Sequence, residues 1–278
     1  MPETATTATP DRPQRRRAAS PFMAPTGAPV RPAKAALNYL AVCVAVIAVV
    51  WASLAAAGIS LNFDFVAQYR VRIWDGFCMT VGISAASLVL SLVLGVLVAA
   101  GQGARFLPLR YLCDFYVKII RGTPLIVQVY FFYYIIGTAW GIDNRVLAGI
   151  IILSLFSGAY IAEIFRAGIQ SISLGQMRAG LSLGMTYPQT MRYIVLPQAV
   201  KRIIPPLGNE FIAMLKDSSL VSVIGFEELT RSGQLVIAET YGTMEIWTCV
   251  AILYLVMTLT ISQLVGWLEK RYRLSDER

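Results

Sequence analysis

Histidine is absent from this 278-residue chain, which excludes imidazole acid–base catalysis and histidine ligation of a metal. Charge is scarce as well. Only 14% of the residues are Asp, Glu, Lys or Arg, against about 25% in an ordinary soluble domain. Hydrophobic residues make up 56%, so much of the surface is expected to face lipid. The four cysteines, Cys43, Cys78, Cys113 and Cys249, are far apart, and each sits in or beside an apolar stretch. No CxxC or other metal spacing exists, and the four read as small apolar packing residues. No GxxxxGK[ST] phosphate loop occurs. No nucleophile motif accompanies a base, so no catalytic residue, metal or cofactor is expected.

What the chain does have is long uncharged runs. Residues 39–57, 76–104, 122–142, 146–162 and 246–268 carry no charge, and about 20 mostly apolar residues suffice to cross a bilayer as a helix. A sixth, weaker span over 203–225 is interrupted by Glu210, Lys216 and Asp217. Runs of this length are helical rather than the short alternating segments of a barrel. With the N-terminus inside and six spans, the inner segments hold 19 of the 24 Lys and Arg residues. Outside lie Arg70, Arg72, Arg145 and Arg231. This asymmetry places both termini in the cytoplasm, and the net charge of +8 reflects orientation in a bilayer rather than nucleic-acid binding. Residues 1–36, rich in Pro, Ala, Thr and Arg, read as a disordered basic tail. Its Arg15-Arg16-Arg17 run reads as a solvated signal, and its length argues against a cleaved signal peptide.

The longest inner segment, 166–200, is too polar to span yet is patterned. Met177, Leu181, Gly184 and Met185 fall at helical spacing on one face. Gly184 suits the left-handed position that ends a helix. Pro188 suits the first position of a second helix, Met191, Ile194 and Val195 form its apolar face, and Pro197 is expected to stop it. The result is a helix-turn-helix whose apolar stripe packs either on its own membrane domain or in a groove of a partner.

These residues carry a family resemblance. Arg178-Ala179-Gly180, then Gly184, Ile194, Leu196 and Pro197 are spaced as in the EAA loop of permeases of binding-protein-dependent ABC importers. Flanking motifs resemble the polar amino acid subfamily. They are Asp75-Gly76 with Thr80, Arg121-Gly122-Thr123-Pro124-Leu125 with Gln128, Tyr160-Ile161-Ala162-Glu163 with Arg166, Gly175-Gln176, Pro205-Pro206 with Asn209, and Lys216-Asp217-Ser218-Ser219-Leu220. The resemblance covers about residues 65–270. It implies an all-α integral membrane protein of the type I importer permease fold, with six transmembrane helices and a cytoplasmic coupling helix. Residues 37–58 would be an extra N-terminal span, 65–270 the permease domain and 271–278 a cytoplasmic tail.

By the same resemblance, Gly175, Gln176, Arg178, Ala179, Gly180, Gly184, Ile194, Leu196 and Pro197 would contact an ATPase. The implied partners are a cytoplasmic ABC ATPase dimer, a second permease subunit, identical or different, a periplasmic or lipid-anchored solute-binding protein, and membrane lipid. The implied role is ATP-driven import of polar amino acids across a bacterial inner membrane by alternating access, with hydrolysis on the separate ATPase. One departure stands out: the family usually has Glu-Ala-Ala where this chain has Arg178-Ala179-Gly180. The reversed charge is either compensated by an acidic residue on the ATPase or weakens coupling, and Gly180 costs about 1 kcal/mol of helix stability relative to Ala.

Charges within spans normally face a bundle interior. Glu163 is placed to pair with Arg166 at i,i+3. Glu210 and Asp217 share a helix face beside Asn209, either lining a substrate path or holding a tertiary network. Arg121 to Pro124 open the third span, either as part of the translocation path or a helix hinge, since Pro124 removes a backbone donor, or as a snorkelling Arg at the interface with Pro at an early helix position. Gln128 lies one turn further in and is able to face the path, and Tyr130 to Tyr134 read as an interfacial belt. Two other function classes remain open. A gradient-driven secondary transporter would show inverted repeats around a midplane site; a membrane-embedded enzyme would need the catalytic motifs that are missing.

Overall fold

The computed structural model describes residues 32–58 and 60–273. The basic run Arg15-Arg16-Arg17 and residues 274–278 of the C-terminal tail lie outside the described residues. Every regular element is helical, and no strand occurs among the described residues.

Two units can be distinguished, residues 1–61 and 62–278. Among its described residues the first holds one helix, α1 (Pro32–Ala56), with no buried residue. It begins inside the stretch expected as tail, on a proline whose fixed φ suits a helix start. Its 25 residues rise about 37 Å, enough to cross a hydrocarbon layer of about 30 Å.

The second unit is built on the pair α2 (Arg70–Gln102) and α5 (Arg145–Gln170). Lipid offers no hydrophobic drive for helices to associate, so close backbone approach and polar contacts must do it. Both are present. A Cβ on Gly95 would sit 2.4 Å from Ile161 Cγ2, so only glycine permits this crossing. Buried Thr80, Ser84, Ser87 and Ser91 line the same face of α2, and Ser154 Oγ donates to the Ser87 carbonyl at 3.3 Å.

Between these helices the chain bends. α3 (Leu107–Gly122) is followed by α4 (Leu125–Tyr130), which continues as a π turn over Phe131–Gly137. The two parts meet at 112°. A single span starting near 122 was expected; instead a helix forms upstream and ends there. Thr123 and Pro124 are both extended, with ψ of 145° and 139°, because proline lacks an N–H and pushes its predecessor out of the helical region.

The rest of the chain runs α6 (Leu174–Ser182), α7 (Tyr187–Thr190), a π turn over Met191–Val195, α8 (Leu196–Asp217), a 3₁₀ turn, α9 (Leu229–Thr240) and α10 (Thr243–Arg273). By length and composition α1, α2, α5 and α10 qualify as membrane spans, and the bent α3–α4 pair, a broken span or a re-entrant loop, makes a fifth if counted as one span. α8 carries Lys201, Arg202, Glu210, Lys216 and Asp217, too many charges to qualify on composition.

A buried carboxylate ties α2, α9 and α10 together. Glu228 is fully buried and caps α9. Its Oε1 accepts the Arg231 N–H at 2.8 Å, and its Oε2 accepts the Thr230 N–H at 2.8 Å. The Tyr254 hydroxyl of α10 donates to Oε2 at 2.8 Å. From α2, Thr80 Oγ1 accepts the Leu229 N–H at 3.0 Å. Thr80→Val keeps the shape but leaves that buried N–H unpaired, at a cost of about 1–3 kcal/mol. Thermal unfolding of the purified chain in detergent should therefore show a lowered midpoint for Thr80→Val and a nearly unchanged one for Thr80→Ser.

Candidate functional site

The segment between α5 and α8 folds as a helix-turn-helix in which the N–H groups of the turn, Leu183 to Thr186, are all hydrogen-bonded. Ser173 caps α6, accepting the Gly175 N–H at 3.2 Å. At the other end Gly184 takes φ +81°. The Met185 N–H reaches the Gly180 carbonyl at 3.1 Å and the Gly184 N–H reaches Leu181 at 3.0 Å, a Schellman pair that closes the helix. Thr186 then caps α7. Its N–H donates to Gln189 Oε1 at 2.8 Å and its Oγ1 accepts the Gln189 N–H at 3.4 Å, a reciprocal capping box. Pro188 falls at the second helical position rather than the first.

Pro197 does not stop the second helix. The chain stays helical from Tyr187 to Asp217, through the π turn at Met191–Val195. Pro197 is the second residue of α8, directly after that wide turn, which re-spaces the backbone so that the ring and its missing N–H are tolerated. The turn is thus joined by continuous helix, with Pro205 and Pro206 inside it, to Glu210 and Asp217, about 30–45 Å along the axis at 1.5 Å per residue.

The two faces of α6 differ. Met177 packs on the cluster of Ile172, Val195, Ala199 and Ile203. Gly180 is buried against the next helix, where an added Cβ would lie 2.5 Å from Thr190 Cγ2 and 3.0 Å from Ile194 Cδ1. Glycine here allows the two helices to touch. The expected single apolar stripe is therefore split: Met177 faces inward, while Leu181 is exposed. On the opposite face Gly175, Arg178, Ala179 and Ser182 are all exposed, flanked by Leu174 at 73% and Leu183 at 82% exposure. Gln176 is exposed and accepts from Gln198 Nε2 at 3.5 Å. Ile194 is half-buried beneath α6, and Leu196 and Pro197 are exposed.

The residues named for a substrate path fall into two groups. Gln128 is buried and holds the α3–α4 break. Its Nε2 donates to the Ile120 carbonyl at 2.7 Å, the Thr123 carbonyl at 3.1 Å and Thr123 Oγ1 at 2.7 Å. The Ile120 carbonyl has no helical donor because Pro124, four residues on, lacks an N–H, so the side chain replaces that backbone bond. Glu163 accepts from Arg166 Nε at 2.9 Å and lies 3.6 Å from Arg121 Nη1. The Arg121 guanidinium sits 5.3 Å over the Tyr160 ring. This cluster joins the end of α3 to α5.

The second group is on α8. Ser157 Oγ of α5 donates to Glu210 Oε1 at 2.9 Å; Glu210 and Asp217 are half-buried and Asn209 is exposed. A cleft of ≈ 590 Å³ lined by Asp114, Arg166 and Gln170 reaches Tyr187 and Met191 of the second helix, so the arginine cluster and the helix-turn-helix border one space. Ser157 and Glu228 escaped the sequence reading. Ser154 and Ser157 interrupt an apolar run one turn apart, which is the signal that marks a polar contact there.

Residues 91–274 match the family described as the inner membrane component of binding-protein-dependent transport systems. The glutamine transport system permease protein GlnP of Escherichia coli K12 is 40% identical over 203 residues, 72% of this chain and 92% of that protein. The probable glutamine ABC transporter permease protein GlnM of Bacillus subtilis is 41% identical over 217 residues, 78% of this chain and 99% of its own. Among solved structures, a chain of an amino acid ABC transporter with histidines aligns with TM-score 0.73 and 39% identity over 77% of this chain and all of that one. A chain of the inward-facing MetNI methionine ABC transporter aligns with TM-score 0.59 at 18% identity and shares the fold.

Gly180→Ala gains about 1 kcal/mol of helix propensity but overpacks against Thr190 at about 1–3 kcal/mol. A lowered unfolding midpoint is expected. Gly175→Ala adds a methyl that meets only Ser173 Oγ at 3.4 Å, and the midpoint of the isolated chain should hold or rise. Both are read by thermal unfolding in detergent.

Proposed function

The chain belongs to the family of inner membrane components of binding-protein-dependent transport systems, and on that premise we propose that it is the permease subunit of an importer for polar amino acids, driven by ATP hydrolysis on a separate subunit. The observation that carries this reading is α6: a short capped helix outside the spans, one face packed on its own bundle and the other exposed. Such a face suits a partner, and the absence of a phosphate loop requires that partner to be the one that binds ATP. The polar amino acid substrate class is supported by relatives named for glutamine and arginine transport.

In this reading both termini and the helix-turn-helix lie in the cytoplasm, in keeping with the Lys and Arg distribution. Two permease subunits and two ATPases form the core, and an external solute-binding protein delivers substrate. Closure of the ATPases displaces α6 and α7, and the helical rod that ends at Asp217 carries the displacement into the bundle as a rigid body. Gly175, Gln176, Arg178 and Ala179 meet the ATPase, with Gly180, Gly184 and Ile194 fixing the angle and Leu196 and Pro197 at the rim. Asn209, Glu210 and Asp217 face the path. Gln128 and Glu163 act at its edge by holding the α3 break and the arginine cluster.

Reconstitution tests the whole. Proteoliposomes holding the permease, its ATPase and the binding protein should take up labelled glutamine or arginine only with ATP on the ATPase side and binding protein on the other, and a protonophore should change nothing. Uptake driven by an ion gradient without ATP would instead make the chain a secondary carrier. Glu210→Gln should lower uptake about tenfold, the worth of one charge-assisted hydrogen bond, while leaving the ATPase attached in co-purification.

A further inference from the structure

The charge around α6 is one-sided. Residues 164–209 contain no acidic residue and five basic ones, Arg166, Arg178, Arg192, Lys201 and Arg202. Four of these are engaged within the fold. Arg166 pairs with Glu163, Arg202 Nη1 donates to the Ser171 carbonyl at 2.5 Å, Arg192 lies 5.7 Å from the Tyr193 ring centroid, and Lys201 has a contact of its own. Arg178 is exposed and makes no ion pair with a described residue. It stands on the outward face of α6, where its neighbours are Gly175, Ala179 and Ser182.

A second observation concerns size. Nothing in this chain requires glycine at 175: its φ is not in the left-handed region, and an added Cβ would meet only Ser173 Oγ at 3.4 Å. Gly180, by contrast, is dictated by contact with Thr190. Gly175 is the second residue of α6, outside the helix interior where glycine costs about 1 kcal/mol relative to alanine, so glycine there leaves the first turn bare without closing a contact within the described residues. A surface reduced to Gly, Ala and Ser lets another backbone come close, and one long cation within it offers a single directed charge.

We propose that the ATPase groove receiving α6 is closely apposed to Gly175, Ala179 and Ser182 and carries a carboxylate opposite Arg178, so that this arginine selects an ATPase with an acidic groove over one with a basic groove. This rests on the reading that α6 docks on an ATPase, and it specifies the chemistry of that partner. A guanidinium meeting a carboxylate forms two parallel hydrogen bonds, and like charges brought together at an interface reject the wrong partner. The charge is exposed in the free chain, so its effect on association falls as salt screens it.

The test uses the full chain in lipid nanodiscs with the ATPase that co-purifies with it, identified by sequencing and by ATP hydrolysis. Binding is measured across salt concentrations for the unmodified chain and for Arg178→Glu, Arg178→Lys and Gly175→Leu. All replaced residues are exposed, so unchanged unfolding midpoints serve as the folding control. Arg178→Glu is expected to weaken binding by at least about tenfold, and Arg178→Lys to retain most of it. In the Arg178→Lys chain, carbodiimide should link the new amine to an Asp or Glu of the ATPase, and replacing that acid by Lys should restore binding to Arg178→Glu. If Arg178→Glu binds like the unmodified chain while Gly175→Leu does not bind, the acidic groove is overturned and docking through α6 survives. If neither substitution affects binding, α6 is not the docking surface and the underlying reading falls with it.

Discussion

A backbone N–H or C=O left unpaired in hydrocarbon costs several kcal/mol, and no water is there to relieve it. This constraint shapes each place where the chain departs from a plain helix. At the 112° bend between α3 and α4, the Ile120 carbonyl left without a donor by Pro124 and the open carbonyl of extended Thr123 are taken up by the buried Gln128 amide. At the start of α9, the free N–H groups of Leu229, Thr230 and Arg231 are met by Thr80 and Glu228. Before Pro197, a π turn keeps the helix continuous. The device at α9 also joins elements distant in sequence: Thr80 lies 149 residues from Leu229. Satisfying the backbone and fixing the bundle are here one process.

The same principle separates the helix-turn-helix from the rest. Outside the apolar layer, water can satisfy open groups, yet this turn is closed on itself by the Gly184 Schellman bonds and the Thr186–Gln189 box. Its rigidity is therefore built in rather than imposed by lipid. Because helix continues from Tyr187 to Asp217, through the π turn and past Pro205 and Pro206, a push on the turn reaches Glu210 along unbroken helix, with the π turn and the two prolines as the places where that helix can bend. Packed helices respond as bodies rather than by bending, which is what a transporter needs if force applied on one side is to act on a path within the membrane.

Much of this was legible in the sequence, and the limits have physical causes. Long uncharged runs announce spans because burying charge in lipid is costly, and Gly184 announces a turn because few residues accept positive φ. Pro197 misled because local rules treat proline as a stop, whereas a π turn five residues wide absorbs it. Pro124 offered a hinge, but α3 before it was hidden, because with Arg110, Asp114, Lys118 and Arg121 it reads as a polar loop until its apolar face is packed by Cys113, Val117 and Ile120. Glu228 resembles any charged loop residue, since its partners on α2 and α10 are far away in sequence. Gly180 looked like a weak helix position and is a contact point. Long-range contacts decide these cases, and no local pattern encodes them.

Everything functional here turns on α6 being the place where another protein grips the bundle. Hydrogen–deuterium exchange of the nanodisc-embedded chain, with and without its ATPase, reads that directly. Slowed exchange of the amides in Leu174–Ser182 on adding the ATPase, with α10 unchanged, is the predicted result. Unaltered exchange across Leu174–Ser182 alongside confirmed ATPase binding would contradict it.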